Sequence, residues 1–142
     1  MIKVIYIDGK NSIYGRLSTY VAKKLLDGET VTIVNAQDVV ITGSRDFITK
    51  HFMEERDVGS VRMGPYYPRT PNAILRRSIG EMLPKKKTRG KEALARCMVY
   101  VGVPAEFRET KFETVPQAMN QKMSGYMTLG DVSKVLGLKV KN

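Results

Sequence analysis

VIYIDGKNSIYGRLSTYVAKKLLDGETVTIVN, residues 4–35, is the stretch from which the fold is read. Val4, Ile5, Tyr6 and Ile7 form an unbroken apolar run, the pattern of a strand covered on both faces. Asp8-Gly9 supplies turn chemistry. Ser12 is placed to cap a helix running to about Asp27, with Gly28 to stop it. Ile13, Leu17, Val21 and Leu25 recur every four residues and mark its buried stripe. Residues 30–35, rich in Val and Ile, read as a second strand. Strand, helix, strand is a βαβ unit, and a crossover of this length makes the two strands parallel.

The same stretch contains a near miss for a phosphate-binding loop. Such a loop has four residues between its glycines and then Lys and Ser or Thr; here five separate Gly9 from Gly15, and Arg16-Leu17 follow. Spacing fixes where backbone N–H groups point, so no nucleotide site is expected. With helix entry near Ser12, Gly15 falls inside the helix, where glycine permits close packing or close approach by a ligand backbone. Arg16 lies about 100° round the helix from Leu17 and so faces outward.

Further along, residues 39–42 are a short apolar run, strand or packed connector. Gly43-Ser44 offers a turn and cap for a helix over 44–56, with Phe47, Ile48 and Phe52 inward and His51 structural among them. Gly59, Gly64, Pro65 and Pro68 break regular structure over 57–70. Thr70-Pro71 starts a helix whose apolar face is Ile74, Leu75, Ile79, Met82 and Leu83, and Pro84 ends it. Residues 85–90 read as a loop, Thr88 as the cap of a helix through Cys97, and 98–102 as the last core strand. Residues 103–127 have weak periodicity and are expected to wrap the surface. Thr128 and Asp131 make a capping pair for a terminal helix through Val132, Val135 and Leu136, stopped by Gly137.

The chain of 142 residues is one domain on size, and 42% apolar content fits an ordinary core. One cysteine, Cys97, excludes an internal disulfide, and with the single histidine, His51, it is too little for a Cys/His zinc site. No Ser or Cys is placed beside a base by any motif, so a nucleophilic enzyme is not indicated. No secretory leader or membrane-length apolar segment is legible. The net charge of +10 is concentrated: residues 62–96 hold ten Lys/Arg against Glu81 and Glu92, whereas residues 1–61 are neutral. A focused positive charge attracts polyanions, nucleic acid before an anionic membrane.

The cations Arg62, Arg69, Arg76, Arg77, Lys85, Lys86, Lys87, Arg89, Lys91 and Arg96 thread through segments bearing Gly64, Pro65, Tyr66, Tyr67, Pro68 and Gly90. Loops let long cationic side chains splay toward phosphates, and Gly90 allows close backbone approach. Tyr66 and Tyr67 either stack on an unpaired base or ribose or pack against the body.

These residues also resemble a known family. Val4–Gly9 with Gly15-Arg16-Leu17, Val34-Asn35-Ala36 with Ile41-Thr42-Gly43, Gly64-Pro65-Tyr66-Tyr67-Pro68, Met82-Leu83-Pro84-Lys85-Lys86-Lys87 with Arg89-Gly90, Val99-Tyr100 with Gly102, and Thr128-Leu129-Gly130 occur in order. They are similar to blocks of the large-subunit ribosomal protein family L-thirteen, in its archaeal and eukaryotic branch. The absence of a long tail after Asn142 looks archaeal. The resemblance implies a three-layer α/β/α fold with a small, mainly parallel sheet, and one domain over residues 1–142. The charge distribution gives an RNA-contacting segment at 62–96, and the weak periodicity beyond it a wrapping segment at 103–142. The resemblance further implies a cytoplasmic, ribosomal protein that binds large-subunit rRNA and neighbouring ribosomal proteins and supports subunit assembly. No catalysis, metal, cofactor, membrane or small-molecule substrate is implied. The expected RNA contacts are Arg16, Arg62, Tyr66, Tyr67, Arg69, Arg76, Arg77, Lys85, Lys86, Lys87, Arg89, Gly90 and Lys91. One departure is Gly80-Glu81, where family members carry a basic residue and then glycine; Glu81 is placed to pair with Arg77 one turn back. Two competing readings are an enzyme on a doubly wound sheet, with a phosphate-ligand pocket near Asp8 and Asn35, and a free regulatory RNA-binding protein.

Overall fold

The computed structural model describes residues 4–57, 68–84, 86–121 and 125–136. In chain order its elements are β1 (Val4–Asp8), α1 (Tyr14–Leu26), β2 (Thr30–Val34), β3 (Val40–Thr42), α2 (Arg45–Asp57), α3 (Pro71–Glu81), α4 (Thr88–Ala95), β4 (Cys97–Val99), β5 (Tyr126–Thr128) and α5 (Leu129–Val135). Short 3-10 turns lie at Ala36–Asp38, Ala105–Phe107 and Pro116–Ala118.

The βαβ unit is present as its residues imply. β1 and β2 are parallel, with Val4 opposite Thr30 and Asp8 opposite Val34. β4 pairs in parallel with the other edge of β2, giving the order β1-β2-β4. β2 is therefore central, and Val31, Ile33 and Val34 are buried with Thr32 between them. β3 and β5 form a separate antiparallel pair, Val40 opposite Thr128, so the apolar run at 39–42 is a strand after all. The chain is thus mixed α/β.

Leu17, Val21 and Leu25 of α1 are fully buried and meet Ile74, Leu75 and Ile79 of α3 in one core. Each such side chain contributes roughly 1.5–3 kcal/mol by leaving water. Successive residues of a strand alternate faces, so Tyr6 points away from Ile5 and Ile7. It packs there with Phe107 and Phe112, ring centroids 5.9 and 5.8 Å away, and Tyr100 lies 5.6 Å from Phe107. Residues beyond β4 run back along the free edge of β1: Glu113 N–H donates to Tyr6 and Asp8 N–H to Glu113, both at 2.9 Å.

Several local readings are corrected. Ser12 does not cap α1; Ile13 does, through its backbone. Ile13 N–H donates to the Ala118 carbonyl and Val40 N–H to that of Ser12, so strand-like pairing with distant chain displaces the local cap. Phe47 faces outward and is 71% exposed, leaving Ile48 and half-buried Phe52 to hold α2. Met82 lies past the end of α3 and is exposed. Thr88 is the first helical residue of α4 and Lys87 its cap, and the last parallel strand is Cys97–Val99 rather than 98–102. Ser44 does cap α2, its hydroxyl accepting from Phe47 N–H at 3.2 Å, and Thr128 accepts from Asp131 N–H at 3.2 Å. Gly137 lies outside the described residues.

Candidate nucleic-acid interface

α3 ends at Glu81 with Met82 as its cap, and the Pro84 carbonyl accepts from Lys87 N–H at 3.1 Å, closing a tight turn into α4. The first turn of α4 thus presents Lys87, Thr88, Arg89 and Lys91, all exposed, beside exposed Lys86. No acidic residue lies in that turn. A helix N-terminus carries unsatisfied N–H groups and a positive partial charge, which adds to four cations in attracting phosphate.

Gly90 is what lets this turn close. It is buried, and a β-carbon there would sit 2.0 Å from the Pro84 carbonyl oxygen. The close approach expected of Gly90 is thus made by the chain's own backbone. Gly80 is likewise buried, against Leu94, so position 80 faces the core.

The remaining expected contacts divide. Arg69 is exposed just before α3, and Arg16 is exposed on α1. Arg76 is held by the fold, donating from Nε to the Cys97 carbonyl at 3.3 Å and from Nη2 to that of Leu94 at 3.1 Å. Arg77 reaches Glu81 at 3.4 Å, the pairing expected from the sequence. Arg96 donates to the Leu25 carbonyl at 2.6 Å, where the α1 dipole is negative. Part of the charge in 62–96 is therefore structural, which charge counting cannot separate. Arg62, Tyr66, Tyr67 and Lys85 lie outside the described residues.

The enzyme alternatives meet occupied groups. Gly9 N–H donates to Val34, Lys10 N–H to the Asp8 carboxylate, Asn11 N–H to Asp38, Ser12 N–H to Gly9 and Ile13 N–H to Ala118. The amides of residues 9–13 are thus already used within the chain. At the carboxyl ends of the strands, Asn35 Nδ2 donates to Asp8 Oδ1 at 3.0 Å, and Asn35 N–H to the Gly102 carbonyl at 3.1 Å. The crevice that a ligand would need between Asp8 and Asn35 is closed by the chain itself. His51 is exposed and lies 3.4 Å from Glu55, one turn on. The Cys97 thiol is pushed up to about 11 by burial and stays protonated, hence poorly nucleophilic. Among the described residues, no three of His, Cys, Asp and Glu are grouped to hold a metal ion.

Comparison with known proteins decides the family. The family described as Ribosomal protein L13 matches residues 2–106. The chain belongs to it. Large ribosomal subunit protein uL13 of Picrophilus torridus is 60% identical over 134 residues, covering 94% of this chain and 97% of that protein. The uL13 protein of Thermoplasma acidophilum is 60% identical over 131 residues, 92% and 96% of the two chains. That of Methanocaldococcus jannaschii is 46% identical over 139 residues, 94% and 97%. The family resemblance carried by the sequence blocks, with its archaeal character, is thereby established. Within this family frame, the exposed cations of α4 and the loop before it are the chain's candidate RNA surface.

Proposed function

We propose that this protein is a structural constituent of the large ribosomal subunit that binds large-subunit rRNA and supports subunit assembly, without catalysis. The observation that carries the reading is the acid-free first turn of α4, where exposed Lys86, Lys87, Arg89 and Lys91 surround a helix N-terminus. Arg16, Arg62, Tyr66, Tyr67, Arg69, Arg77 and Lys85 are the further RNA contacts we propose. Gly90 positions its turn and Arg76 braces the helices behind it. Membership of the family and the names of its relatives support a cytoplasmic, ribosome-bound protein with rRNA and neighbouring ribosomal proteins as partners. No described helix is long and apolar enough to cross a membrane. We infer one domain over 1–142 with its RNA-contacting part at 62–96, and a segment over 103–142 laid on its surface. A three-layer α/β/α arrangement is the finer fold we propose; α1, α3 and α4, packed on one another, supply one helical layer beside the parallel sheet.

The test is titration of purified protein with structured large-subunit rRNA at several salt concentrations. Each neutralised phosphate contributes roughly 0.7–0.9 to the slope of log K against log salt, so several units are expected. A slope near zero would overturn the reading.

A further inference from the structure

The outer face of α1 carries a basic ridge that lies outside the 62–96 segment. At 100° per residue, Arg16, Tyr20 and Lys23 fall on one side of the helix, and half-buried Lys24 lies at its margin next to the buried stripe of Leu17, Val21 and Leu25. Arg16 and Lys24 are about 12 Å apart along the axis. Arg16 and Lys23 are exposed, and the Lys24 ammonium lies 5.6 Å from the centre of the Tyr20 ring. Among the described residues, no carboxylate is within ion-pair distance of these three cations.

This ridge is one wall of an open groove of about 940 Å³, which Met82 and, at the far end of α1, the single acid Asp27 also line. Met82 stands four residues before Lys86, so the groove leads toward the basic turn at the start of α4. Gly15, in the first turn of α1, lines it too. Glycine weakens a helix relative to alanine, and here the fold gains nothing from it. A β-carbon at Gly15 would meet no atom within 4 Å, and its φ lies outside the left-handed region. A glycine that the fold does not require leaves room for something outside the fold. A bare backbone flanked by cations suits a polyanion that passes close by.

We propose that this groove seats a second strand of ribosomal RNA. Its ribose–phosphate backbone passes over Gly15, and Arg16, Lys23 and Lys24 reach its phosphates. The RNA surface then extends from α4 across Met82 to α1. The proposal rests on the RNA-binding reading above and shares Arg16 with it, but Gly15, Lys23 and Lys24 are its own, and it can fail alone.

The experiment compares wild-type protein, K23A/K24A and Gly15→Ala by thermal melt and by rRNA titration across salt, and follows each variant into large subunits. For K23A/K24A we expect an unchanged melt, roughly tenfold weaker binding and a salt slope smaller by about 1.5 units. For Gly15→Ala we expect a melting temperature equal or higher, because alanine favours the helix, with severalfold weaker binding. Wild-type affinity and slope in both variants would overturn the groove while leaving the α4 surface standing, provided wild type itself keeps its steep salt dependence. If K23A/K24A binds naked rRNA normally but enters subunits poorly, a protein covers the ridge, and the proposal is equally overturned.

Discussion

Gly90→Ala joins the packing of the basic turn to its function. The added β-carbon would sit 2.0 Å from the Pro84 carbonyl oxygen and 2.6 Å from its carbon, against contact distances of about 3.5 Å. Both atoms are backbone, so no rotamer change relieves the overlap; the Pro84 turn must move by more than about 1 Å relative to α4. Overpacking costs about 1–3 kcal/mol, and a rigid neighbour puts this site near the upper end. For a chain of this size about 3 kcal/mol lowers the melting temperature by about 9 °C. The same movement disturbs the bonds from Lys87 N–H to Pro84 and from Gly90 N–H to Lys87, each 3.1 Å, so the aim of Lys86 and Lys87 is lost with the stability. Circular dichroism melts and rRNA titration well below the midpoint read the two effects separately. Gly80→Ala is the control: its β-carbon would meet the flexible Leu94 Cδ2 at 3.2 Å, and a loss within about 1 kcal/mol is expected. A Gly90→Ala protein that melts within about 2 °C of wild type would refute the packing argument.

Other substitutions test the remaining assignments. Leu17 is fully buried, so Leu17→Ala should cost about 2–5 kcal/mol, while Arg16→Ala should stay within about 1 kcal/mol and weaken RNA binding; equal melting losses would mean the helix face is misassigned. Replacing Lys85, Lys86 and Lys87 by alanine should leave stability unchanged or slightly higher and reduce the salt slope by about 2–3 units; a much lower melt with an intact slope would make them structural. Arg76→Ala should do the reverse, losing about 1–3 kcal/mol through the abandoned Cys97 and Leu94 carbonyls while keeping the salt slope. Because burial raises the Cys97 thiol from 9.0 to about 11, the unfolded chain ionises first, so stability from this group is intact below pH 9.0 and falls as pH rises toward 11. Native protein at pH 8 should therefore resist thiol alkylation, and rapid labelling without unfolding would contradict the burial.

Much of the architecture was legible because local signals and the global fold agree. The Val4–Ile7 run, the four-residue spacing of Leu17, Val21 and Leu25 and the second apolar run over 30–35 each imply their element and together imply parallel pairing. Thr70-Pro71 and Thr128 with Asp131 marked helix starts correctly; at the second, the Thr128 hydroxyl still takes Asp131 N–H although Thr128 pairs with Val40 and Leu129 N–H donates to Val39. Ser12 misled because Ala118 and Val40, far away in sequence, take the pairing that a local cap would need. Phe47 misled because α2 packs through Ile48, Phe52 and Met53, and Phe47 lies about 100° round the helix from Ile48, on the exposed side. The interface was legible as charge and not as geometry. Nothing in the letters separates Arg76, whose guanidinium finds two carbonyls across the fold, from exposed Arg89.

The pairing of Glu113 with Tyr6 and Asp8 has a consequence for the life of the chain before it reaches its site. A strand edge with unpaired N–H and C=O groups is a template for joining another molecule, and β1 would otherwise present one. The stretch that seals it is made more than 100 residues later, so throughout most of translation the first strand is unguarded. Closure waits until Glu113 has been made. The hazard of pairing at this edge therefore falls on chains that still lack Glu113.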